Sequence, residues 1–365
     1  MNKGITGATV AVGMSGGVDS TVAAVLLQRM GCTVIGLTMS VFSAESSSVH
    51  PPGHSCYGPG ESETLENVRL IAERLGIDLF IIDLKSEFRQ NVLNYFTDEY
   101  LNGRTPNPCV RCNAMLKFGS LLDKARSAGI KFDKYATGHY IRNVYDRESG
   151  HFRLKKAACL PKDQSYFLYG LNADCLKDFI FPLGECSKKD VRCLAAEMDL
   201  PVPVRSESQD FLAGDYASLF IRDQVQPGNI VNEDGDILGT HNGIINYTIG
   251  QRKGIGIAAE TPLYVLNIAS DKNTITVGPK NRLYKNTLFA VNINYLSMDD
   301  LTTPIKIHAK IRQNHKPQAA ELIPLTERSA KVTFNEPQLA ITCGQSVVFY
   351  DGDIVLGGGI IDRVI

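Results

Sequence analysis

The sequence Gly13-Met14-Ser15-Gly16-Gly17-Val18-Asp19-Ser20 separates a short apolar run, residues 8–14, from a segment of helical spacing, residues 19–30. Two adjacent glycines let the backbone turn sharply and approach a ligand closely. The N–H groups at the start of a helix, together with the helix dipole, favour an anion. Ser15 and Ser20 can add hydroxyl donors, and Asp19 can hold Mg²⁺ bound to phosphate. The Walker A pattern is absent because no Gly-Lys-Ser/Thr follows. The stretch therefore predicts a phosphate loop of another kind, in preference to an ordinary glycine-rich turn.

Strand and helix patterns alternate through the first half of the chain. Apolar runs predict strands over residues 8–14, 33–40, 78–84 and 134–137. Helical spacing predicts helices over residues 19–30, 61–75, 85–101 and 113–128. This alternation is typical of an α/β fold with a doubly wound parallel sheet, in which ligands bind beyond the carboxyl ends of the strands.

The second half changes character, because turn signals recur there and helical patterns become scarce. Asp234-Gly235 and Asp351-Gly352, each between apolar runs, predict hairpins. Further strands are predicted over residues 305–311, 329–334 and 346–355. We therefore expect an adenylation-type α/β domain over 1–205, a small β-rich domain over 206–280, and a C-terminal β-barrel over 281–365.

Composition narrows the class of protein. The chain has 365 residues, 44% of them hydrophobic and 21% charged, as in globular proteins. Its net charge of −1 gives no overall attraction to nucleic acid, so any RNA must be held by local basic patches. We expect a cytoplasmic protein without a membrane span, because no apolar run of signal-peptide or membrane length occurs. Nine cysteines in such a protein indicate thiols, metal ligands or catalytic groups, not a disulfide scaffold.

A second motif, residues 103–113, reads Gly-Arg-Thr-Pro-Asn-Pro-Cys-Val-Arg-Cys-Asn. Its prolines indicate an extended loop before a helix that is predicted to begin at Asn113. Cys112 would then lie at the helix cap, where the dipole and Arg111 would lower the pKa of its thiol. Such a thiolate can be a nucleophile or a metal ligand, and the alternative is a structural cysteine pair. We predict catalytic roles for Cys112 and Cys109, and for Asp19 of the phosphate loop.

The phosphate loop matches the PP-loop signature of the N-type ATP pyrophosphatases, which transfer AMP from ATP to a carbonyl or amide oxygen. Over nearly its whole length, the chain resembles one family of that group, the bacterial tRNA-specific 2-thiouridylases (MnmA, also called TrmU). The motifs that carry the resemblance are residues 13–20, 103–113, 116–119 (LKFG), 136–140 (ATGHY), 162–168 (KDQSYFL), 208–210 (SQD), 247–257 (YTIGQRKGIGI) and 312–313 (RQ).

The resemblance implies ATP-dependent 2-thiolation of the wobble uridine of tRNA, by adenylation of O2 and its replacement with sulfur. The residues expected to contact ATP are Gly13, Met14, Ser15, Gly16, Gly17, Val18, Asp19, Ser20, Met39 and Gly138. Those expected near the target base and the tRNA are Asn107, Pro108, Cys109, Lys162, Asp163 and Gln164, with Arg312 and Gln313 in the C-terminal domain.

Two departures from the family concern the thiols. Many members carry Asp in place of Cys109, and a second catalytic cysteine in place of Leu212, so the persulfide and disulfide roles do not carry over. Cys56 lies in the loop after the second predicted strand, which emerges at the same sheet edge as Cys109 and Cys112. Three thiolates there could hold a 4Fe–4S cluster with one open iron for sulfide. There are two alternatives to the cluster: the three thiols form a zinc site completed by His54, or Cys56 is an incidental loop thiol.

Two other functions remain open from the sequence. A PP-loop synthetase acting on a small molecule would not need the cysteine pair or the β-rich second half. A tRNA-binding protein without catalysis would not need an intact phosphate loop. Either a donor protein or sulfide could supply the sulfur, and we expect a monomer.

Overall fold

The computed structural model describes residues 5–42, 56–198, 216–220, 224–298 and 301–365. They form two compact units. The first unit holds the described residues of 1–91, 109–215 and 353–355, and the second holds those of 92–108, 216–352 and 356–365. The domain boundaries after residues 205 and 280 remain a prediction.

A five-stranded parallel sheet forms the centre of the first unit, with the strand order β3-β2-β1-β4-β7. Its strands are β1 Thr9–Gly13, β2 Thr33–Ser40, β3 Leu79–Asp83, β4 Lys134–Thr137 and β7 Phe179–Ile180. Val10 and Val12 of the central strand are fully buried and pack with Ala24 and Ile71 from two helices. The predicted doubly wound parallel sheet is confirmed. An antiparallel hairpin of β5 Ile141–Asp146 and β6 His151–Lys156 follows β4.

The α-helices are α1 Val18–Arg29, α2 Glu61–Leu75, α3 Lys85–Phe88, α4 Asn94–Leu101, α5 Pro108–Cys112, α6 Leu121–Ser127 and α7 Lys188–Glu197. Two π-helices, Arg89–Leu93 and Asn113–Ser120, connect α3 to α4 and α5 to α6. Within the part of the chain that is described, no helix is long and apolar enough to cross a membrane.

The helix that carries the cysteine pair starts earlier than predicted. It begins at Pro108 and not at Asn113. Proline suits the first helical turn, because the N–H that it lacks would have no partner there. Cys112 therefore lies inside the helix, and the prediction that it caps a helix at Asn113 is wrong.

The second unit contains a four-stranded sheet in the order β10-β11-β8-β9 and a six-stranded barrel in the order β12-β15-β14-β13-β16-β17, closed by pairing of β12 with β17. The sheet strands are β8 Gly228–Val231, β9 Ile237–His241, β10 Tyr264–Ala269 and β11 Thr274–Gly278. The barrel strands are β12 Tyr284–Tyr295, β13 Ile305–Lys310, β14 Gln318–Thr326, β15 Ser329–Leu339, β16 Ser346–Asp351 and β17 Ile354–Val364.

Both predicted hairpins are present. The Asp234-Gly235 turn joins β8 to antiparallel β9, and Asp351-Gly352 joins β16 to β17. Gly352 has φ of 54°, so the chain reverses there, and the single strand predicted over residues 346–355 is in fact two strands. The β-rich middle region and C-terminal barrel are confirmed.

Candidate active site

The predicted phosphate loop lies between the end of β1 and the first turn of α1. Gly16 has a left-handed φ of 74°, which glycine adopts without steric cost. At Gly13 a Cβ atom would lie 2.5 Å from Tyr135 Oη, so only glycine fits against that tyrosine. Both positions therefore need glycine for reasons of backbone geometry and packing.

Hydrogen bonds within the protein fix the shape of this loop. Ser20 Oγ accepts from Ser15 N at 3.2 Å and donates to Gly17 O at 3.1 Å. Asn67 Nδ2 donates to Gly16 O at 3.0 Å. Two glycine carbonyl oxygens, which would repel a phosphate, are thus bonded by protein donors. This arrangement suits a loop that presents N–H groups to an anion.

The Asp19 carboxylate is held by two side chains from outside the loop. Lys188 Nζ lies 2.7 and 2.8 Å from its two oxygens, and Tyr140 Oη donates to Oδ1 at 2.8 Å. Lys188 is the first residue of α7, directly after the capping residue Ser187. Lys188 was not predicted as a site residue, because it is 169 positions from Asp19 in the sequence. The only local signal near it is the capping residue Ser187, which marks the start of α7 but not a contact with Asp19. Binding of Mg²⁺ by Asp19 remains a prediction, and it would require the carboxylate to share or exchange this cation.

The neighbouring strands bring the other two predicted ATP residues to the same edge of the sheet. Met39 is half-buried near the end of β2, and Gly138 directly follows β4; both strands pair with β1. A Cβ atom at Gly138 would lie 2.6 Å from both Asp19 C and Ser20 N. Absence of a side chain at Gly138 therefore allows β4 to approach the first turn of α1.

The cysteine pair lies in α5, within the first unit. Cys109 and Cys112 are half-buried, whereas Cys56 is exposed. Burial acts to lower the pKa of Lys117, but the charges of Cys112, Cys56 and Cys109 together outweigh it and raise that pKa. Lys117 is thus within electrostatic range of all three thiols. Among the described residues, no three His, Cys, Asp or Glu side chains are already arranged to hold a metal ion.

The predicted lowering of the Cys112 pKa is wrong. Burial raises the pKa of this thiol, with opposition from Lys117 and a smaller further rise from Cys56. Arg111, the predicted activator, instead donates from Nε to the backbone oxygen of Asn91 at 3.0 Å.

His139 lies two residues after the end of β4, at the same edge of the sheet as Gly138. Its Nδ1 is 2.8 Å from Thr137 Oγ1, and its ring is 6.0 Å from that of Phe118. Burial, aided by the Lys117 ammonium, lowers the pKa of His139 to about 3. The imidazole is therefore neutral near pH 7.

Comparison with known proteins shows the family of this chain. Three family models match in succession: the tRNA methyl transferase HUP domain over residues 8–212, the tRNA methyl transferase PRC-barrel domain over 219–279, and the aminomethyltransferase beta-barrel domain over 285–361. The tRNA-specific 2-thiouridylase MnmA of Endomicrobium trichonymphae is 46% identical over 358 residues, covering 96% of this chain and 98% of that protein. This chain belongs to the tRNA-specific 2-thiouridylase family.

A second 2-thiouridylase, from Acetivibrio thermocellus, is 44% identical over 359 residues, or 96% of this chain and 98% of that protein. Among solved structures, the U34-tRNA thiolase NcsA from Methanococcus maripaludis, with its 4Fe-4S cluster, is 20% identical and has a TM-score of 0.35. That match covers 60% of this chain and 66% of the other, and it is too distant to bear on the site.

The segment Lys162, Asp163 and Gln164, expected to meet tRNA, is bonded within its own unit. Asp163 is buried, and its oxygens accept from Ala157 N at 3.0 Å and Ser165 Oγ at 2.7 Å. Gln164 Oε1 accepts from Tyr140 N at 2.9 Å. Asp163 and Gln164 therefore help to hold the segment next to Tyr140, and their contact with tRNA stays a prediction.

The remaining predicted site residues are in the second unit or outside the described residues. Asn107 and Pro108 belong to the second unit, as does Arg312, which donates from Nη1 to Leu339 O at 3.1 Å. Gln313 is half-buried beside it. Leu212 and His54 lie outside the described residues.

Proposed function

We propose that this chain uses ATP to adenylate O2 of the wobble uridine of a tRNA and then exchanges that oxygen for sulfur. The observation that carries the proposal is the presence of a phosphate loop, residues 13–20, and the pair Cys109 and Cys112 in one unit of a 2-thiouridylase-family chain. Relatives that match over nearly their whole length are named for 2-thiouridylation of tRNA.

The first step consumes ATP. O2 of the uridine attacks the α-phosphorus, the bond to the bridging oxygen of the β-phosphate breaks, and pyrophosphate leaves. The N–H groups at the start of α1 face the phosphates. Lys188, already bound to Asp19 at the loop, places a cation where negative charge collects.

The second step exchanges oxygen for sulfur. A sulfur nucleophile at the oxidation level of sulfide adds to C2, the C2–O2 bond breaks, and AMP leaves with the former O2. No oxidant or reductant is required. The half-buried Cys109 and Cys112 would act as thiolate ligands of the group that carries this sulfide, and would not themselves bond to it. The identity of the sulfur donor and the monomeric state remain predictions.

Cys56, Cys109 and Cys112 would hold a 4Fe–4S cluster. Thiolates are suitable ligands for such a cluster, and Lys117, which interacts with all three, can balance part of its negative charge. Cys56, the exposed member, would have to approach the other two, because no three-ligand set is arranged among the described residues. When bound, the open iron of the cluster would hold the sulfide.

An in vitro reaction tests the proposed function. The protein is incubated anaerobically with ATP, sulfide and tRNA carrying either uridine or cytidine at the wobble position. We expect AMP, pyrophosphate and a nucleoside with oxygen exchanged for sulfur, only with the uridine tRNA. Adenylation of a small molecule in the absence of tRNA, or a nucleoside heavier by one methylene, would contradict the proposal.

Iron content tests the cluster separately. We expect reconstituted protein to bind about four irons per chain. Cys56→Ala should lose iron and thiolation together. Cys193→Ala is the matched control, because Cys193 is also exposed but lies on α7. Full iron and full activity in Cys56→Ala would show that the three-cysteine site is wrong while leaving the thiolation reaction intact.

A further inference from the structure

The loop of residues 103–107 leads directly into α5 and its two cysteines. Residues 104–107 have neither helical nor strand structure, so their backbone groups need partners elsewhere. The residues that provide these partners determine the conformation of the backbone that enters the first turn of α5.

The segment Cys343, Gly344 and Gln345, just before β16, binds this loop. Thr105 N donates to Cys343 O at 2.9 Å. Gln345 Nε2 donates to Thr105 O at 2.9 Å and to Pro106 O at 3.2 Å. At Gly344, a Cβ atom would lie 2.9 Å from Thr105 N, so the loop backbone rests directly on that glycine.

Arg104 makes a second attachment to the barrel. Its Nε donates to Glu99 Oε2 at 2.8 Å, its Nη1 to Asp362 Oδ1 at 3.1 Å, and its Nη2 to Ile361 O at 3.1 Å. The Arg104 side chain is only 21% exposed. Because Ile361 N also donates to Gln345 O at 2.8 Å, the two attachments meet on β17.

The same barrel carries the predicted tRNA contact. Arg312 follows β13 by two residues, and β13 pairs with β16, which begins directly after Gln345. The loop and Arg312 are therefore attached to two neighbouring strands of one unit.

We propose that Gln345 and Arg104 are positioning residues for thiolation: they hold the loop that precedes Cys109, from Arg104 to Pro106, in one conformation on the barrel, and so fix where the backbone enters the first turn of α5. This inference rests on the proposed function. Neither residue acts on substrate atoms.

Gln345→Glu is the test variant, because glutamate keeps the size of the side chain and removes both N–H donors. We expect kcat for thiolation to fall about 10- to 100-fold, the scale of a small misplacement of catalytic groups. We expect the Kd values for ATP and tRNA to stay unchanged, and amide exchange at Thr105 to become about tenfold faster. Gln345→Lys, which restores a donor, should recover part of kcat.

Gln318→Glu is the matched control, since Gln318 donates within the barrel to Lys316 O and does not contact the loop. If Gln345→Glu does not fold, Arg104→Lys is measured in the same way. Wild-type kcat together with wild-type exchange at Thr105 would overturn the inference. Absence of thiolation in the wild type would instead count against the proposed function, and the exchange measurement would still decide the attachment.

Discussion

Replacement of Lys188 by methionine tests the ion pair that fixes Asp19. The variant keeps most of the side-chain volume and removes the ammonium, which makes two short contacts with the carboxylate. Tyr140 Oη would remain as a donor to Asp19. We expect AMP formation to fall strongly, because the phosphate loop loses the cation beside it.

The effect on stability follows from exposure. Lys188 and Asp19 are 19% and 32% exposed, so the pair is intermediate between surface pairs and fully buried pairs. We therefore expect a loss of about 1–3 kcal/mol in the free energy of unfolding. For a unit of this size, each kcal/mol lowers Tm by about 2–4 °C.

A double-mutant cycle with Asp19→Asn isolates the pair, with urea unfolding and ATP-dependent AMP release as the two assays. The control is Arg29→Met, which removes a pair between the same two helices: Arg29 lies 3.9 Å from Glu197, and both are at least half exposed. We expect the control to change stability by less than about 0.5 kcal/mol. A coupling free energy near zero for Asp19 and Lys188, with normal AMP release in Lys188→Met, would refute this reasoning.

Three further predictions concern single sites. Gly138→Ala should destabilise the first unit by about 1–3 kcal/mol in urea unfolding, since its Cβ would meet backbone atoms at 2.6 Å; wild-type stability would contradict this packing. Arg312→Ala and Gln313→Ala should each weaken tRNA binding without changing ATP affinity, and Arg312→Ala should reduce the salt slope by about 1; unchanged filter-binding curves would place them away from RNA. Burial lowers the pKa of His139 from 6.5 to about 3, so the unfolded chain binds a proton more readily than the folded chain. The free energy of unfolding should therefore fall as the pH drops below about 6.5. His139→Gln should make the free energy of unfolding less dependent on pH between pH 7 and 5.

Local patterns predicted the elements of the first unit closely, because hydrophobic periodicity determines them. The ranges predicted for β2, α2 and β4 match the structure residue for residue. The start of the cysteine helix was missed, because Pro108 was taken as the end of an extended loop when it also suits a first helical turn.

Long-range chemistry could not be predicted in the same way. The pair of Asp19 with Lys188 depends on how α7 returns to α1, which no local pattern encodes. The pKa of Cys112 depends on desolvation, which outweighs the expected effects of the helix dipole and Arg111. The roles of the predicted site residues in ATP and tRNA binding still depend on the measurements above.

The π-helix Asn113–Ser120 changes which residues share a helical face. At 3.6 residues per turn, Cys112 and Lys117 would be about 140° apart around the axis. A π-helix bonds residue i to residue i+5, which brings these two positions nearly one above the other. Ordinary α-helical winding of the same residues would rotate Lys117 away from Cys112. A helical wheel drawn from the sequence therefore assigns this lysine to the wrong side.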